Sequence, residues 1–265
     1  MLNLKYFLGV LLHLPLLPLM YFEGKRIKRQ VPDLPEAKDP AGLVRLVRAG
    51  RQIKLLVIGE STIAGIGVQT HEEGFSGSLA KALGRFYQAE VDWKVYAKSG
   101  YAVKRIREEI VPMISEKEAD LIVLGIGGND AFELNTPWGW NKEVKLLLQK
   151  LRGRFPKTPI VFCNMPPIKS FPAFTPIIKS SIGNLGEIFG QNLAALIKDW
   201  PKVYYHAKVL RLDSWNAQFG FDYTPDDYFS DGVHPSKIAY QTWAQDIADM
   251  IKSQNILQED QSIGK

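Results

Sequence analysis

The chain has 265 residues, 46% hydrophobic and 23% charged, an ordinary globular composition with length enough to bury a sizeable core. Its net charge of +5 is scattered except for Lys25-Arg26-Ile27-Lys28-Arg29, which adjoins an apolar segment; the cluster reads as membrane-flanking charge, and no nucleic-acid partner is expected. The single cysteine, Cys163, excludes an intrachain disulfide and a cysteine-based zinc site, and its apolar neighbours suit a buried small hydrophobe.

Residues 1–24 read as a hydrophobic membrane segment. The stretch 4–22 is almost wholly apolar, broken by Lys5, His13, Pro15 and Pro18, and no small-residue cleavage pattern follows it. An uncleaved anchor therefore fits better than a secretory signal. The run is short for a full span, which takes about 20 residues, and the prolines would kink it, so an interfacial or re-entrant helix stays open. Lys25, Arg26, Lys28 and Arg29 follow the segment, against Lys5 before it; the positive-inside rule then leaves the body of the protein in the cytoplasm. Residues 25–50 are expected to be a basic, proline-containing linker, 51–255 one domain and 256–265 a polar tail.

From residue 51 the pattern alternates. Continuous apolar runs at 53–58, 121–126 and 159–163 predict buried strands, and 91–96 alternates like a strand with Val91, Trp93 and Val95 on one face. Helical spacing predicts helices over 74–88, 102–114, 142–155, 185–198 and 236–252, with a short strand at 202–205. The proline-rich stretch 165–176 reads as a long loop, either walling a pocket or lying on the surface. This order implies an α/β fold, a parallel sheet with helices on both faces, whose sites lie at the carboxyl ends of the strands. Gly59-Glu60-Ser61, Ser99-Gly100 and Gly127-Gly128-Asn129-Asp130 all fall at such ends.

A serine hydroxyl needs a base, most often histidine. Of four histidines, His13 lies in the apolar segment, His71 is expected to be exposed beside Glu72-Glu73, and His206 ends a strand where a structural role is the commoner one. His234 follows Asp231 by three residues, close enough for the carboxylate to take Nδ1–H and leave Nε2 for a serine. The Ser61 and Gly100 backbone N–H groups and the Asn129 amide are candidate oxyanion donors, although Gly100 and Asn129 are equally at home as turn residues. The stretch 59–67 lacks the Gly-Lys-Ser/Thr of a phosphate loop and the Gly-x-Gly-x-x-Gly of a dinucleotide fold, and Ser61 is not in a Gly-x-Ser-x-Gly elbow.

With Ser61, Gly100, Asn129 and His234 in this order and Asp231 three residues before the histidine, residues 52–253 resemble the SGNH, or GDSL-like, hydrolases. The resemblance implies a flavodoxin-like three-layer α/β/α sandwich behind the N-terminal hydrophobic helix. It also implies ester hydrolysis through an acyl-serine, with Ser61, His234 and Asp231 catalytic, Ser61, Gly100 and Asn129 as the oxyanion hole, and no cofactor or metal. An acyltransferase would use the same residues with an acceptor hydroxyl in place of water; a non-catalytic binding domain would not require all five. The resemblance implies a small-molecule or lipid ester as substrate, and the membrane is the expected partner of the N-terminal segment. One letter departs from the pattern: the usual Gly-Asp-Ser is Gly-Glu-Ser here, which puts loop packing or substrate fit in question more than catalysis.

Overall fold

A computed structural model describes residues 2–46 and 50–257. Two apolar helices, α1 (Leu2–His13) and α2 (Leu17–Gln30), are joined by a tight turn at Leu14–Leu16. Pro15 and Pro18 each sit in the first turn of a new helical piece, where a missing N–H breaks no bond. A six-stranded sheet follows, in the order β1 (Ala41–Val44), β3 (Ala89–Ala97), β2 (Arg51–Gly59), β4 (Leu121–Gly125), β5 (Ile160–Phe162), β6 (Val203–Tyr205). All neighbours are parallel except β1, which runs antiparallel to β3. The central strands are apolar on both faces because both are covered: every residue of β4 and β5 is buried.

The helices are α3 (Phe75–Tyr87), α4 (Val103–Arg105), α5 (Gly128–Phe132), α6 (Pro137–Arg154), α7 (Pro176–Leu196), α8 (Leu212–Phe219), α9 (Pro225–Tyr228) and α10 (Lys237–Ser253). The chain steps one way from β2 to β3 and the other way from β3 through β4 to β6. Right-handed crossovers therefore put α3 on one face and α4, α6 and α7 on the other. The closing helix α10 returns beside α3, and α6 packs on α7. The direction reverses between β2 and β4, so a crevice opens at their carboxyl ends, where sites in such sheets form.

Several expectations change. The stretch read as linker carries the end of α2 and the edge strand β1, and residues 36–39 are bonded into the domain: Ala37 N–H donates to Ala64 O (2.9 Å), Lys38 N–H to Gln69 O (2.9 Å) and His71 N–H to Lys38 O (2.9 Å). The helix expected over 102–114 is irregular: α4 widens into a π-type turn at Ile106–Ile110 and tightens at Val111–Met113, where Pro112 stands. Helix α6 begins at Pro137, capped by Thr136, whose hydroxyl accepts Gly139 N–H at 3.2 Å. Helix α7 begins at Pro176, directly after the 165–176 loop; Ser180 and Ser181 in its opening turns bond back to Ile177 O, which hides the helix from an apolar periodicity. Of the expected polar tail, Ile256 and Leu257 are buried in the core and 258–265 lie outside the described residues.

Candidate active site

The turn after Phe229 holds the most tightly determined part of the site. Asp231 Oδ1 accepts the backbone N–H groups of Val233 (2.9 Å) and His234 (2.7 Å), while Oδ2 accepts the His234 Nδ1–H at 2.7 Å. The carboxylate is thus saturated from within its own turn. Its side chain is wholly enclosed, whereas the His234 ring keeps 21% of its surface exposed. Burial alone would raise the Asp231 pKa; the His234 ring and the two backbone donors outweigh it and hold the group below the usual carboxylate range. With Nδ1 committed to Asp231, Nε2 is left for chemistry.

Ser61 follows β2, half-buried, and among the described residues its hydroxyl makes no hydrogen bond. The Ser61 and His234 segments are neighbours. Tyr240 donates its hydroxyl to Ile66 O (2.8 Å), and Thr62, Val233 and Pro235 line one apolar cavity of about 50 Å3 with Phe171, Phe229 and Trp243. The 165–176 loop does form one wall of that pocket, and Ala173 N–H fastens it to Gly232 O at 3.1 Å.

The other two strand ends are cross-linked by Asn129, whose side-chain Nδ2 donates one hydrogen to Tyr101 O (3.2 Å) and keeps the second. Gly100, next to Tyr101, has φ +77°, a left-handed conformation in which glycine is unstrained. Asp130 continues the link by accepting Val103 N–H at 2.9 Å, and burial pushes its pKa up to about 6. The loop before Gly100 is pinned by Glu36, which accepts Ser99 N–H (2.8 Å) and pairs with Lys98 (3.1 Å). No local pattern signals this role, because Glu36 is one acid in a proline-rich stretch 63 residues away from Ser99.

Glu60, the irregular letter, has a defined task. Its side chain reaches across from the end of β2 to the first turn of α5, where Oε1 accepts Gly128 N–H at 2.7 Å and Oε2 accepts Asn129 N–H at 2.9 Å. It is 3% exposed, and burial pushes its pKa up to about 8 against the pull of the Asn129, Gly128 and Gly127 N–H groups. The approach is close enough to dictate its neighbour: a Cβ at Gly128 would lie 2.6 Å from Glu60 Oε1.

The remaining histidines are accounted for. His71, expected to be exposed, is buried at 5% exposure beneath residues 36–39, and burial lowers its pKa to about 4. His13 bonds Gly9 O (2.8 Å) and Ser180 Oγ (3.1 Å). His206 forms a second histidine–carboxylate pair, Nε2–H donating to Asp246 Oδ2 at 3.0 Å, which the 40-residue separation concealed. Among the described residues Lys208 and Gln218 also approach Asp246, and no serine, threonine or cysteine joins that pair.

Comparison with protein-family models matches residues 57–242 to the GDSL-like lipase/acylhydrolase family. Among solved structures, the lipase Lip_vut3 from a goat rumen metagenome is similar at 21% identity and a TM-score of 0.54, covering 74% of this chain and 96% of that one. TesA is similar at 19% identity and a TM-score of 0.56, covering 76% of this chain and 98% of that one. The psychrotrophic esterase EstA from Pseudoalteromonas sp. is similar at 18% identity and a TM-score of 0.54, covering 76% and 97%. A search of curated proteins returns no match.

Proposed function

Because the chain belongs to the GDSL-like lipase/acylhydrolase family, we propose that it is a serine esterase working through the triad Ser61, His234 and Asp231. His234 Nε2 takes the hydroxyl proton as Ser61 Oγ adds to the ester carbonyl, giving a tetrahedral oxyanion. The Ser61 and Gly100 N–H groups and the free hydrogen of the Asn129 amide donate to that oxygen. Collapse expels the alcohol, protonated by His234, and leaves an acyl-serine. Water, deprotonated by the same imidazole, then releases the acid. Asp231 holds the ring in the required tautomer and stabilises the imidazolium.

The observation that carries this reading is the enclosed Asp231 carboxylate on His234 Nδ1 at 2.7 Å, with the next residue on each side of His234 sharing a pocket with Thr62. A charge-assisted bond of that length orients the ring in a way a surface pair does not. Purified protein should hydrolyse p-nitrophenyl acetate, and Ser61→Ala should abolish it; a Ser61→Ala protein turning over at the parent rate would end the proposal.

The hydrolase unit in this reading starts before residue 51, since residues 36–44 bond to the loops that carry Ser61 and Gly100. The helix through residues 4–30 is long and apolar enough to cross a membrane by length and composition. We read it as a membrane attachment, with the domain on the cytoplasmic side of the Lys25–Arg29 cluster. Protease protection after detergent-free fractionation tests both attachment and side.

A further inference from the structure

The N-terminal helices do not stand away from the domain. His13 is bonded to Ser180 of α7 and Glu23 accepts the hydroxyl of Thr175, the residue that precedes α7; the two ties lie ten residues apart on the N-terminal segment, about 15 Å along a helix. Tyr6 and Phe7 pack on Trp138, with ring centroids 5.4 Å and 6.2 Å away. A helix crossing a bilayer would have to draw α7 in beside it. Held as it is, the segment lies along the domain.

Between this segment and α7 is a cavity of about 590 Å3, walled by Val10, Leu17, Met20, Leu134, Leu185 and Ile188. That volume is within the usual range of small-ligand sites, roughly 300–1,000 Å3. Of its polar lining residues, Lys5, Asn184 and Gln191 are exposed and stand at the mouth, while His13, Ser181 and Glu187 are half-buried, with His13 bonded to Ser180 and Glu187 paired with Lys169. Outside the cavity lining the helices are apolar as well: Leu4, Leu11, Tyr21 and Phe22 are each more than half exposed, and Trp138 is 53% exposed. Such a surface is far larger than isolated apolar side chains would make. At its end stand Lys25, Arg26, Lys28 and Arg29, none of which joins an ion pair among the described residues. An apolar face bordered by unpaired cations has the chemistry of a bilayer with anionic headgroups.

We propose that α1 and α2 lie in the membrane interface and that the cavity between them and α7 takes an acyl chain of a bilayer lipid. Leu134 ties this site to the catalytic crevice, because it lines the cavity and follows α5, whose five residues span about 7.5 Å from the Asn129 end. The inference concerns binding and stands apart from the esterase reading, so its test uses the full-length Ser61→Ala protein, which consumes no ester.

The probes are vesicles of brominated-chain phosphatidylglycerol and, below its aggregation concentration, a brominated monoacyl phosphatidylglycerol. The readout is tryptophan fluorescence, with Trp138→Phe identifying the Trp138 contribution. Vesicles should quench Trp138 at least twofold, and the monoacyl lipid should bind saturably at one per chain. Gly9→Leu supplies the second arm: Gly9 lines the cavity, and a Cβ there meets nothing within 4 Å, so the backbone can carry a side chain at this position. It should weaken monoacyl-lipid binding at least tenfold while vesicle binding persists. Unquenched Trp138, monoacyl-lipid binding unchanged in Gly9→Leu, or a stable dimer that ignores vesicles would each overturn the proposal.

Discussion

Replacing Glu60 by aspartate would restore the letter that the family usually carries, and the geometry predicts that it damages this protein. Aspartate is one methylene shorter, which withdraws the carboxylate by about 1.5 Å, the rise of one carbon–carbon bond. The bonds to Gly128 and Asn129, now 2.7 Å and 2.9 Å, would open beyond hydrogen-bonding range unless α5 moves by a similar amount. If α5 stays, the buried Gly128 N–H and the part-buried Asn129 N–H lose their acceptor, at about 1–3 kcal/mol for a buried donor. If α5 follows, Asn129 is displaced by about 1 Å, which in an active site is worth up to about 100-fold in rate. We expect Glu60→Asp to lower kcat for p-nitrophenyl butyrate by about 10- to 100-fold with KM within about twofold, because the oxyanion donor acts mainly in the transition state. Thermal unfolding should shift down by about 5–10 °C for a loss of about 2–3 kcal/mol. A Glu60→Asp enzyme equal to the parent in both assays would refute the claim that Glu60 sets α5.

The same group gives a pH dependence. Burial pushes its folded pKa up to about 8, above the ordinary 4.5 of a glutamate, so between these values the folded state holds a proton that the unfolded state has released. Its contribution to stability is complete below about pH 4.5 and is lost as pH rises toward 8, by at most about 1.4 kcal/mol per pH unit. Glu60→Gln, followed by thermal melts from pH 5 to 8, should flatten that decline; an unchanged slope would remove Glu60 as its source. Asp231→Asn should keep the fold and reduce kcat/KM for the same ester by about 10³- to 10⁴-fold, because the imidazole loses its tautomer and its counter-charge. Asn129→Ala should cost about 10²- to 10³-fold in kcat, the usual loss for one oxyanion donor. Asp246→Asn, which unpairs His206, should lower the unfolding temperature and leave kcat within about twofold; a collapse of kcat would show that the second histidine–carboxylate pair takes part in the reaction.

What the sequence disclosed and what it hid follow from distance along the chain. Asp231 and His234 were legible because their bond is made inside one four-residue turn, and the strands because both faces of β4 and β5 are buried and leave unbroken apolar runs. Ser61, Gly100 and Asn129 were legible through their positions at strand ends. The partners that hold those residues were not. Glu60 meets Asn129 across 69 residues, and Glu36 meets Ser99 across 63; no local periodicity records such a pairing. The strand β1 was hidden by its shortness and by Pro40 before it, and its register with β3 is an edge pairing that requires no apolar alternation. The exposure expected for His71 rested on its acidic neighbours. It failed because residues 36–39, which looked like linker, fold over it.

The central claim is that Ser61 is a nucleophile activated by His234. The direct measurement is labelling of the folded protein with a fluorophosphonate probe, followed by intact-mass and peptide mass spectrometry. One adduct per chain is expected, located on Ser61, absent in Ser61→Ala and strongly slowed in His234→Ala. An unlabelled protein, or an adduct on another residue that persists in Ser61→Ala, would contradict it.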